Sequence, residues 1–315
     1  NPIFAVLAEE KKRRTGASPG QLAVDEAFWL PVQAQFAAHP TILNLNNGSV
    51  CPQPLVVQQA FTDLYHLFNQ APAYYMWKTL DAERERIRAR LAALAGCAPE
   101  ELAYVRNTSE GMNFAIMGLD LQPGDEVVLS PQDYPSVINA WKVRARREGL
   151  TLRWVNLPLP STDAEALAAA YLEQFTARTR VVNLTHIINW TGQLMPVRRV
   201  ADEARRRGVF TMADVAHSFA HIDFQLPDLG CDVAATSLHK WLCAPFGTGL
   251  LYVRRQAIPH LWPRMPHEHF GEAEADLRKL EGQGTRNLAA ELAIDLALAL
   301  HEALATPVKQ ARLHY

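Results

Sequence analysis

The chain of 315 residues lacks the features of several protein classes. Its cysteines are few, far apart and without a Cys-x-x-Cys pair, so we expect neither a disulfide framework nor a cysteine-rich zinc site. They are Cys51, Cys97, Cys231 and Cys243. No apolar run approaches the roughly 20 residues that span a membrane, and no membrane segment is predicted.

The chain also lacks an excess of charge of either sign. Its formal net charge is -2 at pH 7, and charged residues make up 20% of the sequence. Such a balance offers no electrostatic surface for nucleic acid, and no nucleic-acid partner is expected. The one basic run, at residues 11–14, follows two glutamates and predicts a solvated helix end or tail.

The sequence begins at Asn1 rather than Met, which indicates that a segment has been removed. The compartment therefore stays open between the cytoplasm, as the default, and export after loss of an N-terminal signal. The length and the 49% hydrophobic content allow one large domain or two medium ones with a sizeable core.

Strand-like and helix-like patterns alternate through most of the chain. The apolar run at 125–130, for example, is followed by a helical pattern at 136–148. This alternation predicts an α/β fold in which helices cover both faces of a mostly parallel sheet. Residues 41–54 predict a short strand and then a turn-rich loop.

We expect three parts along the chain. Residues 1–40 form an N-terminal arm with one helical stretch, and 41–300 form a large cofactor-binding domain. Residues 301–315 begin a C-terminal small domain that the sequence leaves incomplete.

Polar clusters follow the strands of this predicted sheet, and one of them holds a lysine among apolar residues. The clusters are NTSEG at 107–111, QDYPS at 132–136, THIINWTG at 185–192, ADVAHS at 213–218 and SLHK at 237–240. In parallel sheets ligands bind at the carboxyl ends of the strands, so one site is expected there. Lys240 is either a loop lysine that reaches solvent or a desolvated amine that acts as a nucleophile.

Three features together indicate the chemistry of this site. Thr108 and Ser109 begin a helix, where hydroxyl and backbone N–H groups bind phosphate, although such residues are also ordinary helix caps. Asp214 ends an apolar strand and either caps the next turn or pairs with a cationic ring nitrogen. A phosphate cradle, a strand-end carboxylate and a pocket lysine are what pyridoxal phosphate requires, and Tyr134 offers an aromatic lid.

Two other kinds of site have weaker support. His217 and His221 have the i, i+4 spacing of zinc ligands on a helix, but the glutamate of the metalloprotease motif is absent. His267 and His269 are a second, equally incomplete metal candidate, and surface or hydrogen-bonded histidines are the ordinary alternative. No Gly-x-Gly-x-x-Gly follows the first strands, which argues against a nicotinamide site.

Taken in order, the motifs resemble the class V aminotransferase family of fold-type I pyridoxal phosphate enzymes. The nearest branch is isopenicillin N epimerase-like, related to cysteine desulfurases and kynureninases. The resemblance covers residues from about 41 onward and rests on LNNGSVCPQP, RNTSEGMN, DYPS, THIINWTGQLMPV, ADVAHSFAH, TSLHKWLCAPFGTGLLYV and LRKLEGQGTRN. It implies a three-layer α/β/α large domain, a homodimer and pyridoxal 5'-phosphate as cofactor.

The resemblance also implies roles for single residues. Lys240 matches the Schiff-base lysine and Asp214 the partner of the pyridine nitrogen, while Tyr134 matches the aromatic that stacks on the ring. His217 and Asn189 match positions that contact the phenolic oxygen or hold the ring. The matching phosphate ligands are Thr108, Ser109, Ser237, His239 and, reaching the neighbouring subunit, Thr285.

The implied activity is chemistry at Cα of an amino acid or amino-acyl substrate, with Lys240 as general base. Epimerisation, transamination, elimination and decarboxylation stay open, as do a C–S or C–C lyase, a non-catalytic cofactor-binding module and a metal hydrolase. Desulfurases carry a nucleophilic cysteine later in the chain, and none of the four cysteines is an obvious substitute. Cys243 is expected to be a packing residue.

Overall fold

The computed structural model describes residues 2–37, 39–79, 81–265 and 275–315. Within them lies one sheet of seven strands. The strands are β1 (Leu102–Val105), β2 (Glu126–Leu129), β3 (Thr151–Trp154), β4 (Thr179–Thr185), β5 (Phe210–Asp214), β6 (Val233–Ser237) and β7 (Gly249–Val253).

The sheet is mostly parallel. Its strand order is β1-β7-β6-β5-β4-β2-β3. Strands β2 to β6 pair in parallel, and β7 is antiparallel to both β6 and β1. This arrangement confirms the fold class that the alternating patterns predicted.

Helices account for most of the remaining structure. They are α1 (Pro2–Arg13), α2 (Pro19–Val24), α3 (Glu26–Gln33), α4 (Leu55–Gln70), α5 (Pro72–Tyr74), α6 (Asp81–Ala95), α7 (Thr108–Gly118), α8 (Pro135–Glu148), α9 (Ala164–Leu172), α10 (Val197–Arg206), α11 (Leu288–Leu304) and α12 (Thr306–His314). No helix among the described residues is both long and apolar enough to span a bilayer.

Two apolar cores lie on opposite faces of the sheet because successive strand residues point to opposite sides. In β2, Val127 belongs to one core and Val128 to the other. Helices α7 and α8 supply Met112 and Trp141 to the first core, while α9, α10 and α11 pack on the other face. Three layers result, with the sheet in the middle.

The structure corrects two expectations for the first 54 residues. Residues 41–54 contain no strand; they form a loop in which Leu43 is 82% exposed and Leu45 84% exposed. An apolar alternation does not become a strand unless another strand supplies backbone partners. The preceding residues hold three helices rather than one helical stretch, and Leu7 and Phe28 are buried in the core.

The last helix packs against the first part of the chain. Helix α12 contacts α2, and Arg312 donates hydrogen bonds to Glu26 and to the carbonyl of Ala23. The division into arm, large domain and C-terminal domain stays a prediction.

Candidate active site

One cavity at the carboxyl edge of the parallel strands collects residues from all five polar clusters. Its volume is about 230 Å³. It is lined by Ser49, Val50, Asn107, Thr108, Ser109, Tyr134, Thr185, Ile187, Asn189, Asp214, Ala216, His217, Ser237, His239 and Lys240. Every site residue predicted from the sequence is in this set except Thr285.

Sheet register explains why residues so distant in sequence meet here. Thr185 at the end of β4 pairs with Asp214 at the end of β5, and Asp214 pairs with Ala235 of β6. Glycine at 249 lets β7 pass close to the start of α7, because a Cβ there would lie 2.9 Å from the Asn107 backbone nitrogen. Thr108, at the beginning of α7, therefore reaches Ser237.

Lys240 is held inside the cavity wall rather than in a solvated loop, which makes the loop-lysine interpretation wrong. The residue is only 9% exposed, and its Nζ lies 3.1 Å from Nε2 of His217. Burial lowers the pKa of Lys240, and the charge of Asp214 partly opposes that effect. Burial, assisted by the charge of Lys240, lowers the pKa of His217 to about 4. His217 is therefore neutral at pH 7, and its Nε2 shares a hydrogen bond with the lysine amine.

The buried carboxylate of Asp214 has few hydrogen-bond partners within the protein. One of its oxygens accepts the Ala216 N–H at 2.9 Å, so the residue does cap the following turn. Burial raises its pKa, while that N–H and the charge of Lys240 lower it. A buried carboxylate that accepts so few hydrogen bonds and borders a cavity is suited to bind a cationic N–H donor there.

Hydroxyl groups gather at the beginning of α7. Thr108 Oγ1 and Ser237 Oγ lie 2.8 Å apart, and Ser109 Oγ lies 2.6 Å from Ser136 Oγ. The helix is capped by Asn107, whose side chain accepts the Glu110 N–H at 2.9 Å. The interpretation of Thr108 and Ser109 as ordinary caps is therefore wrong. Both hydroxyls lie in the first turn of α7, at the helix end that favours anions.

Three further predicted residues, Tyr134, His239 and Asn189, also line the cavity. The ring of Tyr134 has its centroid 5.9 Å from Lys240 Nζ. His239 contacts the Thr248 carbonyl through Nδ1 at 3.2 Å, which leaves Nε2 for a ligand. Asn189 lies exposed in the turn after β4.

A buried carboxylate supports the Tyr134 turn and was missed from the sequence. Asp133 accepts the Thr185 hydroxyl at 2.6 Å and the Ser130 N–H at 2.9 Å. Burial raises its pKa to about 6. The position of Asp133 between a strand end and Tyr134 is the sequence feature that could have indicated it. Ser49 and Val50 were also missed, because nothing in the 41–54 loop predicts that it folds back over the sheet.

Thr285 lies outside the cavity of its own chain. It is exposed in the segment between the short 3-10 helix Leu277–Leu280 and α11. A buried ion-pair network fixes the start of that segment: Glu281 accepts hydrogen bonds from Arg88 at 2.7 Å and from the Tyr104 N–H at 2.6 Å.

The histidine pair proposed as zinc ligands is not on a helix. Residues 216–220 form turns, and His221 stacks on Trp241 with ring centroids 3.7 Å apart while its Nδ1 meets the His217 carbonyl. In the part of the chain that the structure describes, no group of three His, Cys, Asp or Glu residues could hold a metal ion. His267 and His269 lie outside the described residues.

Comparison with known proteins identifies the family. The Aminotransferase class-V profile matches residues 43–306 of the chain. The chain belongs to the class-V aminotransferase family. It is therefore an enzyme of the pyridoxal phosphate class that acts at Cα of an amino-acid substrate, as the motifs had indicated.

Curated relatives of this class-V protein include two kinds of enzyme. An isopenicillin N epimerase of Streptomyces clavuligerus is 33% identical over 282 residues, which are 85% of this chain and 71% of the relative. A cysteine desulfurase of Dickeya dadantii is 30% identical over 242 residues, 74% of this chain and 57% of the relative.

Solved structures confirm the fold of the class-V chain. A mutant of C-DES with glycine covalently linked to its PLP cofactor superposes with a TM-score of 0.79 at 24% identity, covering 87% of this chain and 75% of that one. The Escherichia coli cysteine desulfurase CsdA has a TM-score of 0.73 at 24% identity, with 93% and 73% covered.

The residues present fit pyridoxal phosphate. A buried amine, a buried carboxylate with one accepted hydrogen bond and a group of hydroxyls at a helix N-terminus border the same cavity. These three groups complement an aldehyde, a ring N–H and a phosphate.

Proposed function

We propose that Lys240 carries pyridoxal phosphate in this cavity and moves the Cα proton of an amino acid or amino-acyl substrate. The observation that carries the proposal is the Lys240 amine, buried beside neutral His217 and in the same cavity as Asp214. When bound, the cofactor supplies an aldehyde for amines and an electron sink for a broken Cα bond.

Each residue of the site then has a defined task. Asp214 accepts the N–H of a cationic ring nitrogen and keeps it protonated. Lys240, whose pKa burial lowers, is available as a neutral amine that accepts a proton and returns it. His217 orients the amine through its hydrogen bond, and the ring of Tyr134 covers one side of the cavity.

The phosphate end is held by the hydroxyl cluster in this proposal. Thr108, Ser109 and Ser237 donate hydrogen bonds, His239 adds Nε2, and the positive end of α7 favours the dianion. Asn189 also lines the cavity, where it would contact the phenolic oxygen or hold the ring.

Among reactions at Cα, we propose epimerisation first. It requires removal and return of a proton and no nucleophile beyond the base, and epimerases are among the relatives of this chain. A C–S lyase is the second candidate, because cysteine desulfurases are also relatives. A desulfurase needs a nucleophilic thiol, and no cysteine is among the described residues that line the cavity.

The active form is proposed to be a homodimer. Thr285 is exposed away from its own cavity, and the loop that carries Ser49 and Val50 also presents the exposed side chains of Leu43 and Leu45. In the proposed dimer, a second copy covers these leucines. Thr285 of each copy is proposed to reach the phosphate of the neighbouring site.

The reaction is tested with a panel of amino acids and amino-acyl peptides in deuterated water. Exchange of the Cα proton without another product supports epimerisation, whereas ammonia, pyruvate or a persulfide supports the lyase. Lys240→Ala is expected to lose the exchange, and Lys142→Ala, which removes an exposed lysine, is expected to keep it. Exchange of the Cα proton in Lys240→Ala at the wild-type rate would contradict the role of this lysine.

A further inference from the structure

Two thiols meet beside the turn that carries Lys240. Cys51 Sγ and Cys243 Sγ lie 3.4 Å apart although the residues are 192 positions apart in sequence. Both cysteines are free and half-buried. This pair could not be predicted from the sequence, because neither spacing nor motif connects the two residues.

The backbone holds the two thiols together. The Cys51 N–H donates to the His239 carbonyl at 3.0 Å, and the Cys243 N–H donates to the Lys240 carbonyl at 3.0 Å. Both chain segments are therefore fixed to the same turn. The sulfur atoms must approach from 3.4 Å to the disulfide bond length of about 2.05 Å.

The buried amine of Lys309 lies next to the pair. Lys309 Nζ donates to the carbonyls of Trp241 at 2.6 Å and Ala220 at 2.7 Å, which fixes its position. The hydrogen bond from Cys51 and the charge of Lys309 lower the pKa of Cys243 against the effect of burial. The same contact raises the pKa of Cys51. Cys243 is the thiol that ionises first.

We propose that Cys51 and Cys243 are a reversible disulfide site that fastens the 41–54 loop to the Lys240 turn. The oxidant is a low-molecular-weight disulfide such as oxidised glutathione. The Cys243 thiolate attacks one sulfur of the oxidant and releases one glutathione thiolate. Cys51, once deprotonated, attacks the Cys243 sulfur and releases the second glutathione. The two cysteines lose two electrons and two protons, and the oxidant becomes two thiols.

The bond restrains a wall of the active-site cavity. Ser49 and Val50 line the cavity, and Cys51 follows them directly. Gly48, which directly precedes Ser49, lies close to the Trp241 ring. With Cys51 bonded to Cys243, this wall can no longer move away from the Lys240 turn. Oxidation is expected to slow the release of cofactor several-fold.

Peptide mapping of the cofactor-loaded protein tests the site. After treatment with oxidised glutathione, remaining thiols are alkylated and the protein is digested without reductant. We expect a linked peptide pair containing Cys51 and Cys243 that dithiothreitol separates. Cys97→Ser, the matched control, is expected to give the same pair. Cys51→Ser is expected to leave one glutathione on Cys243.

Two results would overturn the proposal. In the first, Cys51 and Cys243 are both recovered alkylated, or each carries its own glutathione. In the second, the rate of cofactor release from the oxidised wild type equals the rate from the reduced form, which would show that the disulfide does not restrain the cavity wall. The same comparison in Cys51→Ser is expected to show no difference.

Discussion

At the scale of single residues, the site depends on an amine and a carboxyl group, Lys240 and Asp214, that are both kept from water. Burial lowers the pKa of Lys240 and raises that of Asp214, so it disfavours the ionised form of both groups. The Ala216 N–H and the charge of Lys240 oppose this effect at Asp214, and the charge of Asp214 opposes it at Lys240. Buried groups with pKa values shifted in this way cluster at functional sites.

Asp214→Asn is the residue change that tests the ring-nitrogen partner. The amide keeps the size of the side chain but removes the charge, so Cα-proton exchange is expected to fall about 10²- to 10³-fold. Asp214→Glu, which restores the charge, is expected to recover part of the rate. Exchange at the wild-type rate in Asp214→Asn, with the cofactor bound, would contradict the assigned role.

Tyr134→Ala tests the aromatic wall. If the Tyr134 ring stacks on the cofactor, its loss costs about 0.5–1.5 kcal/mol of binding free energy, or roughly a 2- to 10-fold weaker cofactor affinity. Tyr134→Phe keeps the ring and is expected to bind as the wild type does. Titration of the cofactor-free protein followed by visible absorbance measures both, and equal affinities for Ala and Phe would rule out stacking.

At the scale of elements, the sequence predicted the strands and helices that build the site because their apolar periods are regular. Helix α6 ends before Gly96, whose positive φ of 72° is the left-handed conformation that commonly closes a helix. The 41–54 loop could not be predicted, because its course over the sheet depends on contacts with residues about 190 positions away rather than on its own pattern.

The candidate site was predictable in a similar way, residue by residue. Asp214 ends β5 and Lys240 follows β6, and the parallel pairing of these strands brings the two residues to the same edge of the sheet. Asp133 was not predicted, since only the closed fold shows that the carboxylate is buried against Thr185. The pairing of Cys51 with Cys243 escaped for the same reason.

Glu281→Ala tests the ion-pair network that holds the segment before α11. Removing the carboxylate leaves Arg88, which is 1% exposed, without its buried partner, so the free energy of unfolding is expected to fall by about 3–5 kcal/mol. Glu83→Ala removes a half-exposed partner of Arg86 and is expected to cost less than about 1 kcal/mol. Urea unfolding at pH 7 compares the two variants.

The same pair has a predictable pH dependence. The charges of Arg88 and Arg84 lower the pKa of Glu281 in the folded state, against the effect of burial. A carboxylate with a lowered pKa stabilises the fold above its unfolded pKa, and this stability is lost as the pH falls through the folded pKa. The difference between wild type and Glu281→Ala is therefore expected to shrink in acid, and a constant difference would contradict the assignment.

At the scale of the whole molecule, the proposed homodimer explains the exposed leucines of the 41–54 loop. Sedimentation of the wild type is expected to give twice the chain mass of 35.2 kDa. Leu43→Asp with Leu45→Asp is expected to give single chains and weaker cofactor binding. Leu313→Asp, at an exposed leucine of α12, is the control that keeps the dimer. A wild-type monomer with a full complement of cofactor would contradict the dimer.

The most direct test of the central claim is the covalent attachment of the cofactor. The protein is loaded with pyridoxal phosphate, reduced with borohydride, digested and mapped by mass spectrometry. The reduced cofactor is expected on the peptide that contains Lys240 and is expected to be absent from Lys240→Ala. Attachment at another lysine, or none in a protein that binds the cofactor, would contradict the account.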